Sequence, residues 1–136
     1  MANLARKGAR NPKVKAYATD SFQNDGSVAG IDRVLRSIFH YRDEIEEIVR
    51  TPAFMMADLE EFGYLEGDCD DIATLAAAMT KSLDIPTRLT AMQSEPDGEF
   101  DHVFSEARIG IHWIPIDPTV AEGTVYQMYS IMTEMV

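Results

Sequence analysis

The spacing of apolar residues changes at Pro86, and this change constrains the fold of the 136-residue chain more than any other feature. Before Pro86, apolar side chains recur every three or four residues, which is the period of an amphipathic helix. After it, the segment from Thr87 to Met92 alternates polar and apolar residues, as a half-buried strand does. Helices followed by strands predict an α+β domain whose N-terminal helices pack on one face of a small antiparallel sheet.

The longest predicted helix begins after Ser27, a residue type that often caps helix N-termini, and continues to Arg50. Its apolar positions have helical spacing: Ile31, Val34, Leu35, Ile38, Ile45, Ile48 and Val49. His40 lies in the middle of this predicted helix, where a surface or packing role is expected.

Two more helices are predicted further along the chain. A short one runs from Pro52 to Leu59, and a longer one starts at Cys69. Asp68 is placed as the N-cap of the longer helix, and Asp71 is placed to complete a capping box. The longer helix is expected to end at Ile85, because a proline disfavours helix in the residue before it.

The remaining segments predict strands joined by polar turns. His102 to Arg108 and His112 to Ile116 are predicted to pair as a hairpin. Gln93 to Asp101 is polar and is expected to form the loop before that hairpin. The methionine-rich segment from Tyr126 to Met135 is either a last strand or a packed tail.

The formal net charge of -11 is unevenly distributed along the chain. Residues 1–20 contain five basic side chains and one acidic one, whereas the remaining residues contain seven basic and 22 acidic ones. An acidic body repels phosphate groups, so no nucleic acid partner is expected. The basic N-terminal residues either contact an acidic partner or form a solvated end. We predict a basic N-terminal arm or helix at residues 1–26 and a single domain at residues 27–136.

The sequence gives no sign of a membrane protein. No apolar run approaches the roughly 20 residues that cross a bilayer, so no membrane contact is expected. The first ten residues are polar and basic, unlike a secretory signal, which has an apolar centre. The cytoplasm is therefore the expected location.

Cys69 is the only cysteine, which leaves two interpretations, a buried small hydrophobe or a reactive thiol. Its place at the start of a helix favours a thiolate, because the first backbone N–H groups of a helix stabilise negative charge. Asp68, Asp70 and Asp71 oppose it, because carboxylates repel a thiolate. Activation of Cys69 therefore requires a nearby positive charge, for which His102 is the candidate.

His102 and Asp117 are the candidates for a base and for the residue that orients it. Their separation along the chain suits neighbouring strands of a hairpin. A carboxylate at Asp117 can accept a hydrogen bond from one ring nitrogen of His102 and leave the other facing a thiol. Taken alone, His102 is more typical of a core or loop-edge histidine, and Asp117 before Pro118 is more typical of a turn. His112 is a poorer base, because it points away from Asp117 on the same strand.

A metal site formed by Asp68, Asp70, Asp71 and His102 is an alternative use of these side chains. The carboxylates lack the spacing of a calcium loop, and no second cysteine supports a zinc site. We therefore expect no metal and no cofactor.

Four linked blocks of this chain carry a resemblance to a known family. They are Gly67-Asp68-Cys69-Asp70-Asp71-Ile72-Ala73-Thr74-Leu75-Ala76-Ala77-Ala78-Met79, Leu83-Asp84-Ile85-Pro86-Thr87-Arg88, His102-Val103-Phe104-Ser105-Glu106 and Trp113-Ile114-Pro115-Ile116-Asp117-Pro118-Thr119. In this order they resemble the transglutaminase-like superfamily of papain-type cysteine enzymes, in its compact single-domain bacterial or phage form. The resemblance implies Cys69 as nucleophile, His102 as base and Asp117 as orienting residue.

The chain also departs from the pattern of that family. Val103 and Phe104 stand where alanine and tryptophan often follow the family's histidine. A side-chain donor to the oxyanion is not identified upstream of Cys69, where Tyr64 and Gln23 are the candidates.

Two classes of function follow from these features. The first is a thiol-dependent acyl-transfer enzyme, either a cysteine peptidase or amidase or a transglutaminase-like acyltransferase, that acts on a peptide or protein amide. Hydrolysis is favoured over transfer, because nothing in the sequence identifies a dedicated amine site. The second is a binding or assembly protein that retains the fold, for example a phage particle component located in the virion. Its assembly partner would dock on the basic N-terminal arm or on the methionine-rich end from Met128 to Met135.

Overall fold

The computed structural model of the protein describes residues 1–43 and 48–136. Its helices are α1 (Ala2–Ala9), α2 (Pro12–Asp25), α3 (Val28–Ile38), α4 (Pro52–Phe62) and α5 (Cys69–Ser82). Its strands are β1 (Phe39–Tyr41), β2 (Leu65–Gly67), β3 (Thr87–Gln93), β4 (His102–Ile109), β5 (His112–Ile116) and β6 (Ser130–Met135). The helices precede strands β3 to β6, which form the main antiparallel sheet, and this arrangement confirms the predicted α+β class.

The strands after Pro86 form one antiparallel sheet with the order β5-β4-β3-β6. In the β4–β5 hairpin, Ser105 pairs with Ile116 and Ile109 with His112. This register confirms the predicted hairpin and brings the residue after β5, Asp117, towards the start of β4. Strand β6 confirms the strand alternative for the C-terminal segment, although it starts at Ser130 rather than at Tyr126.

The predicted long helix from Ser27 to Arg50 is wrong in its second half. Helix α3 ends at Ile38, and the next three residues form β1, which pairs in parallel with β2. This pairing satisfies backbone groups of β1 with a segment far along the chain, and the helical spacing of apolar residues gives no hint of it. His40 consequently lies on an exposed strand and not in the middle of a helix.

Three of the apolar residues assigned to that long helix come after β1 in the chain. Ile45 lies outside the described residues, and Ile48 and Val49 lie outside any helix. The prediction for the fifth helix needs a smaller correction, since α5 ends at Ser82 and not at Ile85.

Helix α5 lies at the centre of the molecule. Its residues from Asp71 to Thr80 are all buried, and it packs against the other helices, β3 and β4. An α-helix that is buried on several sides holds its first turn in a fixed position, since its core side chains cannot move independently of their neighbours. Cys69, at the first position of α5, is half-buried.

The N-terminal residues form helices that belong to the same core. In α1, Ala2 and Ala5 are buried next to Ala73 and Ala77 of α5. The packing is close, because a Cβ atom at Gly8 would lie 2.5 Å from Cγ of Pro52. Of the two predicted alternatives for these residues, arm or helix, the structure has helices.

No helix in residues 1–43 and 48–136 is long and apolar enough to cross a bilayer.

Candidate active site

The capping box predicted at the start of α5 is present. The Asp68 side chain accepts hydrogen bonds from the N–H groups of Asp70 (3.1 Å) and Asp71 (3.2 Å). In return, Oδ2 of Asp71 accepts from the N–H of Asp68 (3.1 Å). These bonds use backbone donors of the first helical turn, so the turn that carries Cys69 is fixed by its own side chains.

Asp71 also connects this turn to the segment before α4. Its Oδ1 accepts from the N–H of Arg50 (2.7 Å), and its Oδ2 lies 3.3 Å from Nη1 of the same arginine. Burial raises the pKa of Asp71, although the hydrogen bonds from Arg50 and Asp68 act in the opposite direction. The Asp71 side chain is fully buried, so loss of any of these donors would leave a carboxylate oxygen without a hydrogen bond and away from water. Asp71 therefore holds the first turn of α5 firmly against Arg50.

His102 and Asp117 meet as predicted from their positions on the hairpin. Nε2 of His102 lies 2.7 Å from Oδ2 of Asp117, and the Asp117 side chain is 2% exposed. Tyr126 donates its hydroxyl to the same oxygen (2.7 Å). The other oxygen, Oδ1, accepts from the N–H (3.1 Å) and the hydroxyl (2.6 Å) of Thr119. The carboxylate is therefore held from several directions.

The charges of this pair favour an imidazolium next to a carboxylate. Burial lowers the pKa of His102, but hydrogen bonds to Asp117 and Cys69 outweigh it and raise that pKa to about 10. Burial likewise opposes ionisation of Asp117, yet the hydrogen bonds from His102, Thr119 and Tyr126 leave its pKa lowered. Both partners are thus charged near neutral pH.

Cys69 completes the group of three predicted residues. A side-chain hydrogen bond to Cys69 is among the interactions that raise the pKa of His102. Nε2 of the ring faces Asp117, and the Cys69 thiol also donates to Oδ1 of Asp70 (3.9 Å). His102 is therefore hydrogen-bonded to Asp117 and interacts with Cys69.

Two aromatic rings lie beside the imidazole. Phe104 and Tyr126 are stacked with ring centroids 4.5 Å apart and an interplanar angle of 6°. The His102 ring lies 5.9 Å from that of Phe104 and 6.3 Å from that of Tyr126. These rings limit the access of water to the hydrogen bond between His102 and Asp117. An aromatic ring face, unlike water, does not replace either partner of that hydrogen bond.

Sequence reasoning missed Tyr126 and Asp32. Tyr126 lies in an irregular segment that has no periodic pattern, and its aromatic character was the only available signal. Asp32 lies on α3, and its Oδ1 accepts a hydrogen bond from the N–H of Asp117 (3.0 Å). No motif links these two positions, which are far apart in the chain.

Tyr64 and Gln23, the two candidate oxyanion donors, are both exposed. The Tyr64 ring lies against that of His40, with centroids 5.4 Å apart and an interplanar angle of 54°, and Tyr64 lines a small surface pocket. Gln23 is exposed in the last turn of α2. Burial and a hydrogen bond to Asp43 raise the pKa of Tyr41 to about 12, and the charge of Cys69 acts in the same direction.

The predicted absence of a metal site stays a prediction. Within the described residues, no group of three or more His, Cys, Asp and Glu side chains is arranged to hold a metal ion.

Comparisons with known proteins agree on the type of fold. The sequence model of the transglutaminase-like superfamily core matches residues 15–118. A crystal structure of a proposed cysteine protease from Cytophaga hutchinsonii superposes with a TM-score of 0.61 at 20% sequence identity. The alignment covers 91% of this chain and 50% of the other, so this chain spans about half the length of that structure. No curated protein matches this chain at a significant level.

Proposed function

Because this chain belongs to the transglutaminase-like superfamily, we propose that it is a thiol-dependent acyl-transfer enzyme that hydrolyses an amide or peptide bond. One observation carries this proposal more than the others. His102 is hydrogen-bonded to Asp117 and interacts with the thiol of Cys69, at the first position of a buried helix. A thiol, a base and an orienting carboxylate in this order are what a cysteine nucleophile requires.

In the proposed reaction, the Cys69 thiolate attacks the carbonyl carbon of the substrate amide. Nδ1 of the His102 imidazolium donates its proton to the leaving amine, and an acyl thioester remains on Cys69. His102, now neutral, removes a proton from water, and the hydroxide releases the acyl group as a carboxylic acid. The Cys69 thiolate and the His102 imidazolium are thereby regenerated, while Asp117 holds the imidazole in the same orientation throughout.

The tetrahedral intermediate requires donors to its oxyanion. Asp68 already accepts from the N–H groups of Asp70 and Asp71. The N–H of Cys69 itself precedes both and is the backbone donor that we assign to the oxyanion. A second donor is expected from the segment that contains Tyr41, since this side chain experiences the charge of Cys69.

Hydrolysis is proposed rather than transfer to an amine, because nothing in the sequence identifies a dedicated amine site. A peptide or protein amide is the proposed substrate. A cytoplasmic location remains part of this proposal, and a virion location would apply to a phage-encoded protein.

Labelling of Cys69 by iodoacetamide at neutral pH tests the proposal. Wild-type protein is expected to react faster than a free cysteine peptide, and Cys69→Ala is expected to remain unlabelled. His102→Ala should slow the reaction, because it removes the positive charge that opposes the neighbouring carboxylates. His112→Ala is the matched control, since His112 is exposed on β5. Equal rates for wild-type protein, His102→Ala and the free peptide would contradict the enzymatic proposal.

A binding or assembly role is the second candidate, and the exposed edge strand β6 favours it. Ile131, Met132 and Met135 on this strand are 49%, 61% and 51% exposed. Exposed apolar side chains on a strand edge are typical of contact surfaces. Size-exclusion chromatography with light scattering distinguishes the two: a stable large oligomer with an unreactive Cys69 would support assembly.

A further inference from the structure

Asp117 is held by its backbone as well as by its side chain. Its N–H donates to Oδ1 of Asp32 (3.0 Å), and its C=O accepts from Nη2 of Arg36 (2.8 Å). Both partners come from α3, one helical turn apart. The two peptide groups that determine the orientation of Asp117 are therefore tied to the same helix.

Asp32 and Arg36 form an ion pair that fixes their own geometry. Nε of Arg36 lies 2.7 Å from Oδ2 of Asp32, and the two side chains are 23% and 13% exposed. Arg36 also donates through Nη1 to the C=O of Val120. Its guanidinium thus joins α3 to the beginning and the end of the turn formed by residues 117–120.

This turn also carries two of the donors that hold the Asp117 carboxylate. Thr119 donates twice to Oδ1, and Thr119 lies between the two carbonyl groups that Arg36 binds. If the turn moved relative to β4, the carboxylate would no longer face Nε2 of His102. A misplacement of a catalytic group by about 1 Å can cost on the order of a hundredfold in rate.

We propose that Asp32 and Arg36 are positioning residues of the active site, which hold the Asp117 turn so that its carboxylate orients His102 towards Cys69. This inference rests on the proposed thiol chemistry for its catalytic meaning. Neither residue touches the substrate or the thiol in this assignment. Their effect is transmitted through the backbone of Asp117 and then through the imidazole.

Two substitutions separate geometry from charge. Asp32→Asn keeps the shape of the side chain but replaces one of its two acceptor oxygens by an NH2 group, which removes the ion pair with Arg36. Arg36→Lys keeps the positive charge but cannot bind two carbonyl groups and a carboxylate in the planar arrangement of a guanidinium. Arg33→Gln is the matched control on the same helix, because Arg33 is half-exposed and pairs with Asp25 and Glu122 instead.

The primary measurement is the titration of the His102 imidazole by NMR, made well below the thermal midpoint of each variant. In wild-type protein and Arg33→Gln, the titration is expected far above the ordinary value of 6.5. In Asp32→Asn and Arg36→Lys it is expected to move towards that value, and alkylation of Cys69 at neutral pH should slow on the order of tenfold. A purely structural role would lower the thermal midpoint and leave the imidazole titration of the folded protein unchanged.

A second measurement uses wild-type protein only, so it does not depend on whether the variants fold. Because the N–H of Asp117 is bonded to a buried carboxylate, its hydrogen exchange is expected to be slow, like that of amides in the sheet. Fast exchange at Asp117 would overturn the proposal. Imidazole titration and labelling in Asp32→Asn and Arg36→Lys that match Arg33→Gln would overturn it as well.

Failure of the positioning role can be distinguished from failure of the proposed function. If wild-type Cys69 reacts no faster than a free thiol, the enzymatic proposal fails, whereas the His102 titration still tests the positioning role. If Cys69 is reactive and depends on His102 but neither α3 substitution matters, only the positioning role fails.

Discussion

The Asp117 carboxylate receives hydrogen bonds from His102, Tyr126 and both donors of Thr119. A carboxylate offers about four acceptor positions, so these donors occupy its capacity. Such a group can be buried as an anion at low cost, because the protein replaces the hydrogen bonds that water would provide. At this scale, Asp117 is a fixed negative charge around which the imidazole is oriented.

Removal of one donor should weaken this arrangement without disturbing the rings. Tyr126→Phe keeps the stack on Phe104 but deletes the hydroxyl that donates to Oδ2 of Asp117. A hydrogen bond to a charged group contributes about 1.5–3 kcal/mol, so we expect the free energy of unfolding to fall by about 1–3 kcal/mol. Urea denaturation measures it. Tyr129→Phe is the control, because the Tyr129 side chain is 59% exposed, and an equal loss in both variants would contradict the expectation.

The raised pKa of His102 predicts how stability depends on pH. The folded state holds the His102 proton up to about pH 10, whereas the unfolded state releases it near the ordinary value of 6.5. The resulting stabilisation is complete below about 6.5 and is lost as the pH rises through 10. We therefore expect the free energy of unfolding to decline between these values.

Urea denaturation at several pH values checks this decline in wild-type protein and two variants. His102→Gln should reduce it, whereas His112→Gln should retain it, because His112 is exposed on β5. A decline that is the same in all three proteins would mean that another group causes it.

At the scale of elements, strand β2 and helix α5 meet without space for a side chain at Gly67. A Cβ atom there would lie 2.6 Å from Oδ2 of Asp71 and 3.2 Å from Nη1 of Arg50. Asp71 cannot move away without losing the donors of the capping box and of Arg50. The approach of β2 to the capping box therefore requires glycine at this position.

Gly67→Ala is accordingly expected to destabilise the protein by about 1–3 kcal/mol, because overpacking forces neighbouring groups apart. It should also slow alkylation of Cys69, because the first turn of α5 would shift. Gly98→Ala is the control, since a Cβ atom there would meet only ordinary contacts, at 3.5 Å from Glu95. Thermal denaturation and thiol labelling of both variants test the prediction, and equal behaviour would contradict it.

The elements that the sequence predicted well are those whose signals are local. The capping residues Asp68 and Asp71, the alternation after Pro86 and the hairpin are determined by neighbouring residues, and together they place Cys69, His102 and Asp117. The elements that it missed depend on contacts between distant segments. Strand β1 forms because it pairs with β2, which lies far along the chain. The apolar residues around β1 have helical spacing, so the sequence predicted a helix there.

The same distinction applies to the site. The His102–Asp117 pair was predictable, because hairpin partners have a regular register. The contacts of Asp32 and Arg36 with the turn after β5 arise from packing of α3 beside that turn. An aspartate and an arginine four positions apart on a helix are a common combination. From the sequence alone, they indicate only an ion pair on the helix surface.

At the scale of the whole molecule, the two ends of the chain pack around α5 and the sheet. Nη2 of Arg6 on α1 donates to the C=O of Met135 (2.7 Å), and Val136 is buried with Ala2 and Ala5. The residues matched by the superfamily lie between these ends. The position of the domain boundary at residue 27 stays a prediction, which the packing of α1 makes testable.

A charge placed inside the α1–α5 contact tests it directly. Ala5→Glu puts a carboxylate at a fully buried position, and we expect a loss of about 2 kcal/mol or more in the free energy of unfolding. Asn3→Glu introduces the same side chain at an exposed position of α1, where a carboxylate near the helix N-terminus is favourable. An independent N-terminal arm would leave both variants as stable as the wild type. A selective loss in Ala5→Glu would instead make residues 1–26 part of the cooperative unit that holds α5, and with it Cys69, in place.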